Sequence, residues 1–127
     1  MTEAQPSLFS LEDSRFDQWK QFHGKNLSVW RLFRSFALEA HRAGRTQLSA
    51  RLIGERIRWF CTIETTDQEF KVNDHHWPYY ARLLAGTEQR FQGFFTFKDA
   101  KFDATTEDIV AAHREATAKA YEDGSSD

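Results

Sequence analysis

"NLSVWRLFRSFALEAHRAG", residues 26–44, carries the strongest helical periodicity in the chain. Apolar side chains recur in it at intervals of three and four residues, at Val29, Phe33, Phe36, Ala37 and Ala40. This spacing places them on one face of an α-helix and leaves the arginines on the other. Asn26 or Ser28 can cap the start of the helix, and Gly44 can close its end. The stretch therefore predicts the central core helix of the protein.

Shorter helices are predicted on both sides of this one. Upstream, Ser14 and Asp17 are spaced as a capping pair for a short helix that Gly24 would stop. Downstream, Ser49 can cap a helix within "QLSARLIGERIRWF", residues 47–60. Its apolar stripe would consist of Leu52, Ile53, Ile57 and Phe60. Its polar face would allow Glu55 to pair with Arg51 and with Arg58.

The second half of the chain mixes strand and helix signals. "CTIETTDQEFKVND", residues 61–74, has the propensity of a short strand or extended connector. "NDHHWPYYARLLAG", residues 73–86, predicts a third helix with Pro78 in its first turn. "RFQGFFTFKDAKF", residues 90–102, favours a short β-hairpin. Thr105 and Asp108 then form a capping box that would start a last, alanine-rich helix.

This order of elements is typical of a winged helix, in which three helices pack on a small hairpin. The 127 residues suffice for one compact domain. We therefore expect a mostly α fold with a small β-hairpin (α+β), winged-helix-like, with an added C-terminal helix. The expected parts are a flexible N-terminal arm, a helical core, a C-terminal helix and a disordered acidic tail, at 1–14, 15–102, 103–121 and 122–127.

The net charge of −2 hides a strong segregation along the chain. Residues 1–14 hold three acids and no base, and residues 15–60 hold ten bases and three acids. Residues 61–127 hold seven bases and thirteen acids. A basic segment in a nearly neutral protein favours a polyanionic partner, if the fold gathers the charges on one face.

Several functional classes find no support in the sequence. The single cysteine, Cys61, excludes an internal disulfide and fits a reducing compartment. The chain has no apolar run of about 18 residues for a membrane span, and its start does not resemble a signal peptide, so we expect a soluble cytoplasmic protein. Asp74, His75 and His76 are adjacent, whereas metal ligands on a helix are three or four residues apart. With no nucleotide-binding loop or nucleophile motif either, we expect no metal, no cofactor and no enzymatic activity.

The winged-helix interpretation assigns a nucleic-acid-binding site. The third helix would read base edges through Asn73, His75, His76, Tyr79 and Arg82. The second helix would bind phosphates through Arg51, Arg56 and Arg58, and the hairpin through Arg90, Lys98 and Lys101. Trp77 and Tyr79 flank Pro78 at a helix start, so we expect both to be exposed.

The segments "SARLIGERIRW", "FKVND", "PYYARLL" and "FQGFF" resemble a family of small, uncharacterised phage and prophage proteins of actinobacteria and proteobacteria. The resemblance spans about residues 18–98. It implies a phage or mobile-element setting, and with it a DNA-binding accessory protein or an inhibitor of a host defence complex. Relatives carry an Asn-rich run where this chain has "NDHH". The resemblance therefore does not extend to a base-reading role for His75 and His76.

Two functional hypotheses follow. The first is a non-enzymatic protein that binds duplex DNA. The alternative is a protein-binding module, such as a phage inhibitor of a host nucleic-acid-processing complex, which would use exposed aromatic residues and the acidic C-terminal half. Homo-oligomerisation through the last helix is compatible with both.

Overall fold

The computed structural model describes residues 13–65, 71–97 and 102–122, and five α-helices make up most of this part. They are α1 (Arg15–Lys25), α2 (Leu27–Arg42), α3 (Ala50–Trp59), α4 (Trp77–Thr87) and α5 (Thr106–Glu122). A π-helical turn at Phe60–Glu64 extends α3, and short 3-10 turns lie at Asp74–His76 and Gln89–Phe91. None of the described helices is both long enough and apolar enough to cross a membrane.

Side-chain caps begin three helices where the sequence predicts them, but the predicted cap of α2 is wrong, since its N-cap residue Asn26 makes no side-chain capping hydrogen bond. Ser14 and Ser49 each accept a hydrogen bond from the backbone N–H three residues later, at 3.0 and 3.2 Å. Thr105 accepts one from the backbone N–H of Asp108 at 3.0 Å, and the Asp108 carboxylate accepts one from the N–H of Thr105 at 3.4 Å. These bonds satisfy N–H groups that have no partner inside the helix. The three predicted caps are confirmed.

The predicted amphipathic face of α2 is also confirmed. Val29, Phe33 and Ala37 are buried, with exposed fractions of 4%, 0% and 0%. Gly44 follows the helix at a φ of +95°, in the left-handed region that favours glycine. The turn after α2 therefore ends the helix as expected and directs the chain into α3.

The most enclosed helix is α4, which packs against α2, α3 and α5. Seven of its eleven residues are buried, namely Trp77, Tyr79, Tyr80, Ala81, Arg82, Leu83 and Leu84. The predicted exposure of Trp77 and Tyr79 is wrong, since each is 1% exposed. Gly54 of α3 makes room for this arrangement, because a Cβ there would lie 2.3 Å from the Trp77 ring. α4 is thus a core helix and cannot be the exposed reading helix of a DNA-binding fold.

Stacked aromatic rings connect α1, α2 and α4. Trp19 of α1 stacks on Tyr79, with 5.5 Å between ring centroids, and meets the edge of Tyr80 at 5.7 Å. Phe33 of α2 stacks on Tyr80 at 5.6 Å and on Trp77 at 6.3 Å. Each large aromatic side chain removes about 150–250 Å² from water when buried, so this group dominates the apolar stabilisation of the fold.

The β-hairpin predicted at 90–102 is wrong in the part of the chain that the structure describes. None of the described residues lies in a β-strand, and Gln89–Phe91 is a 3-10 turn that Gly93 continues at a φ of +80°. The aromatic residues of this segment are buried instead, at Phe91, Phe94 and Phe95. The backbone N–H of Leu48 donates to the Phe94 carbonyl at 2.9 Å and fixes the turn to the start of α3. The described part of the chain is all-α, so the α+β winged-helix interpretation is overturned.

The connector after α3 also differs from its predicted extended form. The chain continues as the π-helical turn Phe60–Glu64, where the Thr65 hydroxyl donates to the Cys61 carbonyl at 2.5 Å. Residues 71–73 belong to no helix or strand, and Asn73 has an extended backbone, whereas 66–70 lie outside the described residues. The β-branched residues Thr62 and Ile63 therefore lie in a helical turn despite their strand propensity. Strand propensity depends on context, and packing can override it.

The last helix packs on both α4 and α1. Gly86 of α4 permits the contact, because a Cβ there would lie 2.5 Å from Cγ2 of Thr106 and 3.3 Å from Cγ2 of Val110. Ile109 is fully buried in the same interface. Of the predicted N-terminal arm, residues 1–12 lie outside the described part, as do residues 123–127 of the predicted tail.

Candidate functional site

Two residues expected to read DNA bases, Tyr79 and Arg82, are 1% and 9% exposed. The Tyr79 hydroxyl donates to the Asp103 carboxylate at 2.5 Å, and burial, followed by this hydrogen bond, raises the pKa of the phenol. The Arg82 guanidinium lies 3.5 Å from the centroid of the Phe102 ring and 4.5 Å from that of Phe97. Both side chains are engaged inside the fold, so neither is presented to a DNA groove.

The other residues predicted at the start of the reading helix form a local turn. The Asn73 side chain accepts a hydrogen bond from the backbone N–H of His75 at 2.9 Å and caps the 3-10 turn. His76 is 6% exposed, and its burial, followed by the charge of His75, lowers its pKa to about 4. Asn73 and His75 are exposed, whereas His76 is buried. A buried, neutral imidazole at 76 cannot donate two hydrogen bonds to bases or phosphates.

Arg58 lies within a network of oxygen atoms on the protein itself. Its guanidinium is 3.1 Å from the Glu55 carboxylate, 3.0 Å from the Asp74 carboxylate, and within hydrogen-bonding distance of the Val72 carbonyl at 3.1 Å. The hydrogen bond to Asp74 is the largest cause that raises the pKa of Arg58. Arg58 therefore joins the end of α3 to the start of α4, and the predicted pair with Glu55 is confirmed.

Arg56 and Arg90 are also paired with carboxylates. Arg56 lies 3.3 Å from the Glu64 carboxylate, on the π-helical turn that follows α3. Arg90 lies 3.6 Å from the Glu88 carboxylate, which also forms an ion pair with Arg34 of α2. These contacts reduce the positive charge that both arginines could offer to phosphates.

Arg51 differs from the other arginines of α3. It is exposed, and among the described residues no carboxylate lies within ion-pairing distance of it, so its predicted pair with Glu55 is wrong. Lys98 and Lys101 lie outside the described residues. In the part of the chain that the structure describes, the predicted phosphate-binding residues thus form no common face of available positive charge.

A cleft of about 870 Å³ lies between α3, α4 and the turn that precedes α3. Among the described residues, its apolar lining consists of Leu48, Ala50, Leu52, Trp77, Pro78, Ala81, Phe97 and Phe102. Leu52 is 56% exposed and Phe97 is 42% exposed, although both are large and apolar. The volume falls in the range of about 300–1,000 Å³ that is common for ligand-binding clefts, and such clefts are mainly apolar.

Among the described residues, the charged lining of the cleft is mostly positive, with Arg45, Arg51, Arg82 and one carboxylate, Asp74. Arg58 is the largest cause of the lowered pKa of Asp74, and Arg51 the smallest, so this carboxylate is bound chiefly by Arg58. Arg82 is held against aromatic rings. Arg45 and Arg51 are exposed, and neither pairs with a carboxylate among the described residues. The mouth of the cleft therefore carries two positive charges that remain available.

Among the described residues, no group of three His, Cys, Asp or Glu side chains is placed to hold a metal ion. Comparison of the chain with protein-family models, with curated proteins and with solved structures finds no match. The resemblance to phage and prophage proteins therefore stays a prediction.

Most of the cleft residues were not among the predicted site residues, although the sequence contains signals for two of them. Leu52 and Ile53 are adjacent on a helix and must point in different directions. The structure buries Ile53 and leaves Leu52 at the cleft. Gly54 within an amphipathic helix signals a close approach by another element, which is Trp77. No local signal identifies Arg45 or Phe97, because their position depends on how the two turns fold together.

Proposed function

We propose that this protein is a non-enzymatic binding module that holds a segment of another protein in the cleft. The observation that carries the proposal is the exposure of Leu52 and Phe97 beside a concave, mainly apolar surface. Contacts of these side chains with an apolar group of a partner would stabilise a complex by about 25 cal/mol for each Å² removed from water. Exposed apolar side chains next to a cleft are typical of protein interaction sites.

Binding of duplex DNA is the second candidate, and the ten bases among residues 15–60 favour it. Affinity for DNA depends largely on lysines and arginines that neutralise phosphates. Here Arg56 is paired with Glu64, and Arg58 is paired with Asp74. Those ion pairs would have to break, or the partner would have to tolerate the nearby carboxylates. A protein segment bound in the cleft requires neither change, so we favour a protein partner over duplex DNA.

The biological setting of the proposal rests on the resemblance to phage and prophage proteins. That resemblance supports a protein encoded by a phage or mobile element and acting in the bacterial cytoplasm. The partner would then be a host protein, such as a component of a defence or nucleic-acid-processing complex. The charge balance adds support, since thirteen of the nineteen acids fall in residues 61–127 and would repel DNA.

A peptide selection followed by a matched pair of variants tests the proposal. Short random peptides would be selected on the immobilised full chain, and the affinity of enriched peptides measured by fluorescence anisotropy. Leu52→Glu should weaken binding at least tenfold, whereas Ile63→Glu should leave it unchanged. The two leucine-sized side chains are equally exposed, at 56% and 58%, but only Leu52 lines the cleft.

A short DNA duplex provides the opposing measurement, at about 50 mM salt, where contacts to phosphates are strong. We expect it to bind more weakly than the enriched peptides and to be insensitive to Leu52→Glu. If no peptide is enriched, or if Leu52→Glu behaves as Ile63→Glu does, the cleft is not the binding site. Tight duplex binding in place of peptide binding would establish the second candidate.

A further inference from the structure

Building on the proposed function, we infer that the segment held in the cleft is acidic, with carboxylates beside a large apolar side chain. Two properties of the cleft carry this inference. One is the pair of arginines at its mouth, Arg45 and Arg51, and the other is the apolar surface that lies beside them. A ligand that satisfies both must present negative charge and apolar surface within a short distance.

The arginines supply the charge argument. Arg45 and Arg51 line the same cleft, and among the described residues neither is paired with a carboxylate. Asp74 also lines the cleft, but its carboxylate already has partners. Its Oδ1 lies 3.0 Å from Arg58 and 3.2 Å from the indole nitrogen of Trp77. A guanidinium group binds a carboxylate through two parallel hydrogen bonds. Carboxylates of a partner therefore match what this protein leaves unsatisfied.

The position of Arg51 strengthens this argument. It is the second residue of α3, and the first turn of that helix contains no acidic residue. The amino end of a helix carries a partial positive charge, which repels a cation placed there. Ser49, Ala50 and Arg51 all line the cleft, so the amino end of α3 faces the ligand. A bound carboxylate would relieve the repulsion between the helix end and Arg51.

The apolar surface decides between classes of anion. Leu52 and Phe97 are exposed, and the buried residues Trp77 and Ala81 also form part of the lining. The phosphate backbone of duplex DNA offers charge without a large apolar group, and so does a small inorganic anion. A leucine, phenylalanine or tryptophan flanked by Asp or Glu offers both. Charge and apolar surface together therefore point to an acidic peptide.

Three pools of fluorescent synthetic peptides test this inference with the full chain. Every peptide carries a central Leu, Phe or Trp, flanked by Asp and Glu in one pool, by Asn and Gln in the second, and by Lys and Arg in the third. By fluorescence anisotropy, the acidic pool should bind about tenfold more tightly than the amide pool, and the basic pool most weakly. Arg45→Gln and Arg51→Gln should each weaken the acidic pool about threefold, as expected for a partly exposed ion pair. Arg114→Gln, which removes an exposed charge from α5 outside the cleft, should change nothing.

The outcomes separate the inference from the proposed function. Equal affinity for the acidic and amide pools, with binding still lost in Leu52→Glu, overturns the acidic partner and leaves the cleft as a peptide site. Binding of no pool, or binding that ignores Leu52→Glu, overturns both. Binding of single-stranded or duplex DNA that is lost in Arg51→Gln, without binding of peptides, assigns the cleft to nucleic acid and also overturns the inference.

Discussion

His23 Nε2 and His113 Nδ1 lie 2.8 Å apart, so a hydrogen bond between two imidazole rings joins α1 to α5. The ring of His23 is 1% exposed and lies between Trp19 and Tyr80, with centroid distances of 4.8 and 5.5 Å. One ring must donate and the other must accept, so the two cannot both be protonated. The packing of α5 on α1 therefore depends on the protonation states of His23 and His113.

Acid should destabilise the protein through this pair. Burial, followed by the nearby His113, lowers the pKa of His23 to about 3, and burial also lowers the pKa of His113. In the unfolded chain a histidine titrates near pH 6.5. Between these values the unfolded state binds more protons than the folded state, so the free energy of unfolding falls as the pH falls from about 6.5 to about 3. For His23 alone we expect a loss of about 2 kcal/mol between about pH 7 and pH 5, measured by urea unfolding.

Two variants separate His23 from the other histidines. His23→Gln should make the decrease between the two pH values about 2 kcal/mol smaller, whatever its stability at neutral pH. His75→Gln, at an exposed position, should change the decrease much less, through its effect on the pKa of His76. Some dependence should remain in His23→Gln, because burial also lowers the pKa of His76, to about 4. An unchanged pH dependence in His23→Gln would rule out its role.

Gly54→Ala should strongly destabilise the fold. An added Cβ would lie 2.3 to 2.7 Å from three atoms of the Trp77 ring, and that ring is buried. Moving the ring would disturb the packing of α3 on α4, at a cost of about 3 kcal/mol. Gly24→Ala is the matched control, because Gly24 also lies within a helix and has no atom within 4 Å of the added Cβ. Alanine there should stabilise by about 0.5–1 kcal/mol. The free energy of unfolding of both variants would be measured with denaturant. Similar changes in the two variants would contradict the prediction.

Helix caps and helix faces could be predicted from the sequence. The caps at Ser14, Ser49 and Thr105 and the left-handed Gly44 were predictable because each depends on a few neighbouring residues. The face of α2 was predictable for the same reason, since periodicity is a local property. Helix positions in the described part of the chain therefore agree with the sequence better than anything that depends on distant contacts.

Two errors are local, since Gly24 lies within α1 instead of stopping it and Arg51 does not pair with Glu55. The other errors concern residues whose partners are distant in sequence. Phe94 has strand propensity, yet its ring is buried in a turn whose carbonyl accepts from the N–H of Leu48. Trp77 was expected at the surface because Pro78 marks a helix start, but it packs on Gly54. The carboxylate of Asp74 that binds Arg58 is sixteen residues away. Burial and ion pairing of this kind depend on tertiary structure, so a basic segment in the sequence did not become a basic face.

Tyr79→Phe should lower stability modestly. The Tyr79 hydroxyl donates to one oxygen of Asp103, while the other oxygen accepts from the backbone N–H of Phe16 at 2.9 Å. Removing the hydroxyl should cost about 1 kcal/mol, since it breaks one hydrogen bond to a charged, partly solvated group. Tyr121→Phe is the control, because Tyr121 is 85% exposed and should show no change. Urea unfolding at neutral pH would contradict the assignment if both variants matched the wild type.

Arg58→Gln and Arg51→Gln should differ in their effect on stability. Arg58 bridges Glu55 and Asp74 at 3.1 and 3.0 Å, so its loss should lower the free energy of unfolding by about 1 kcal/mol at low salt and by less at high salt. Its loss also leaves Asp74, which lines the cleft, without its main partner, so binding of the acidic peptide pool should weaken as well. Arg51 pairs with no carboxylate among the described residues and lies at the amino end of α3, so its replacement should change stability by less than about 0.5 kcal/mol. The same replacement should weaken peptide binding. Urea unfolding and fluorescence anisotropy of the two variants test these expectations. They would be contradicted if Arg51→Gln were the less stable protein, because Arg51 would then have a structural role and could not be assigned to a ligand.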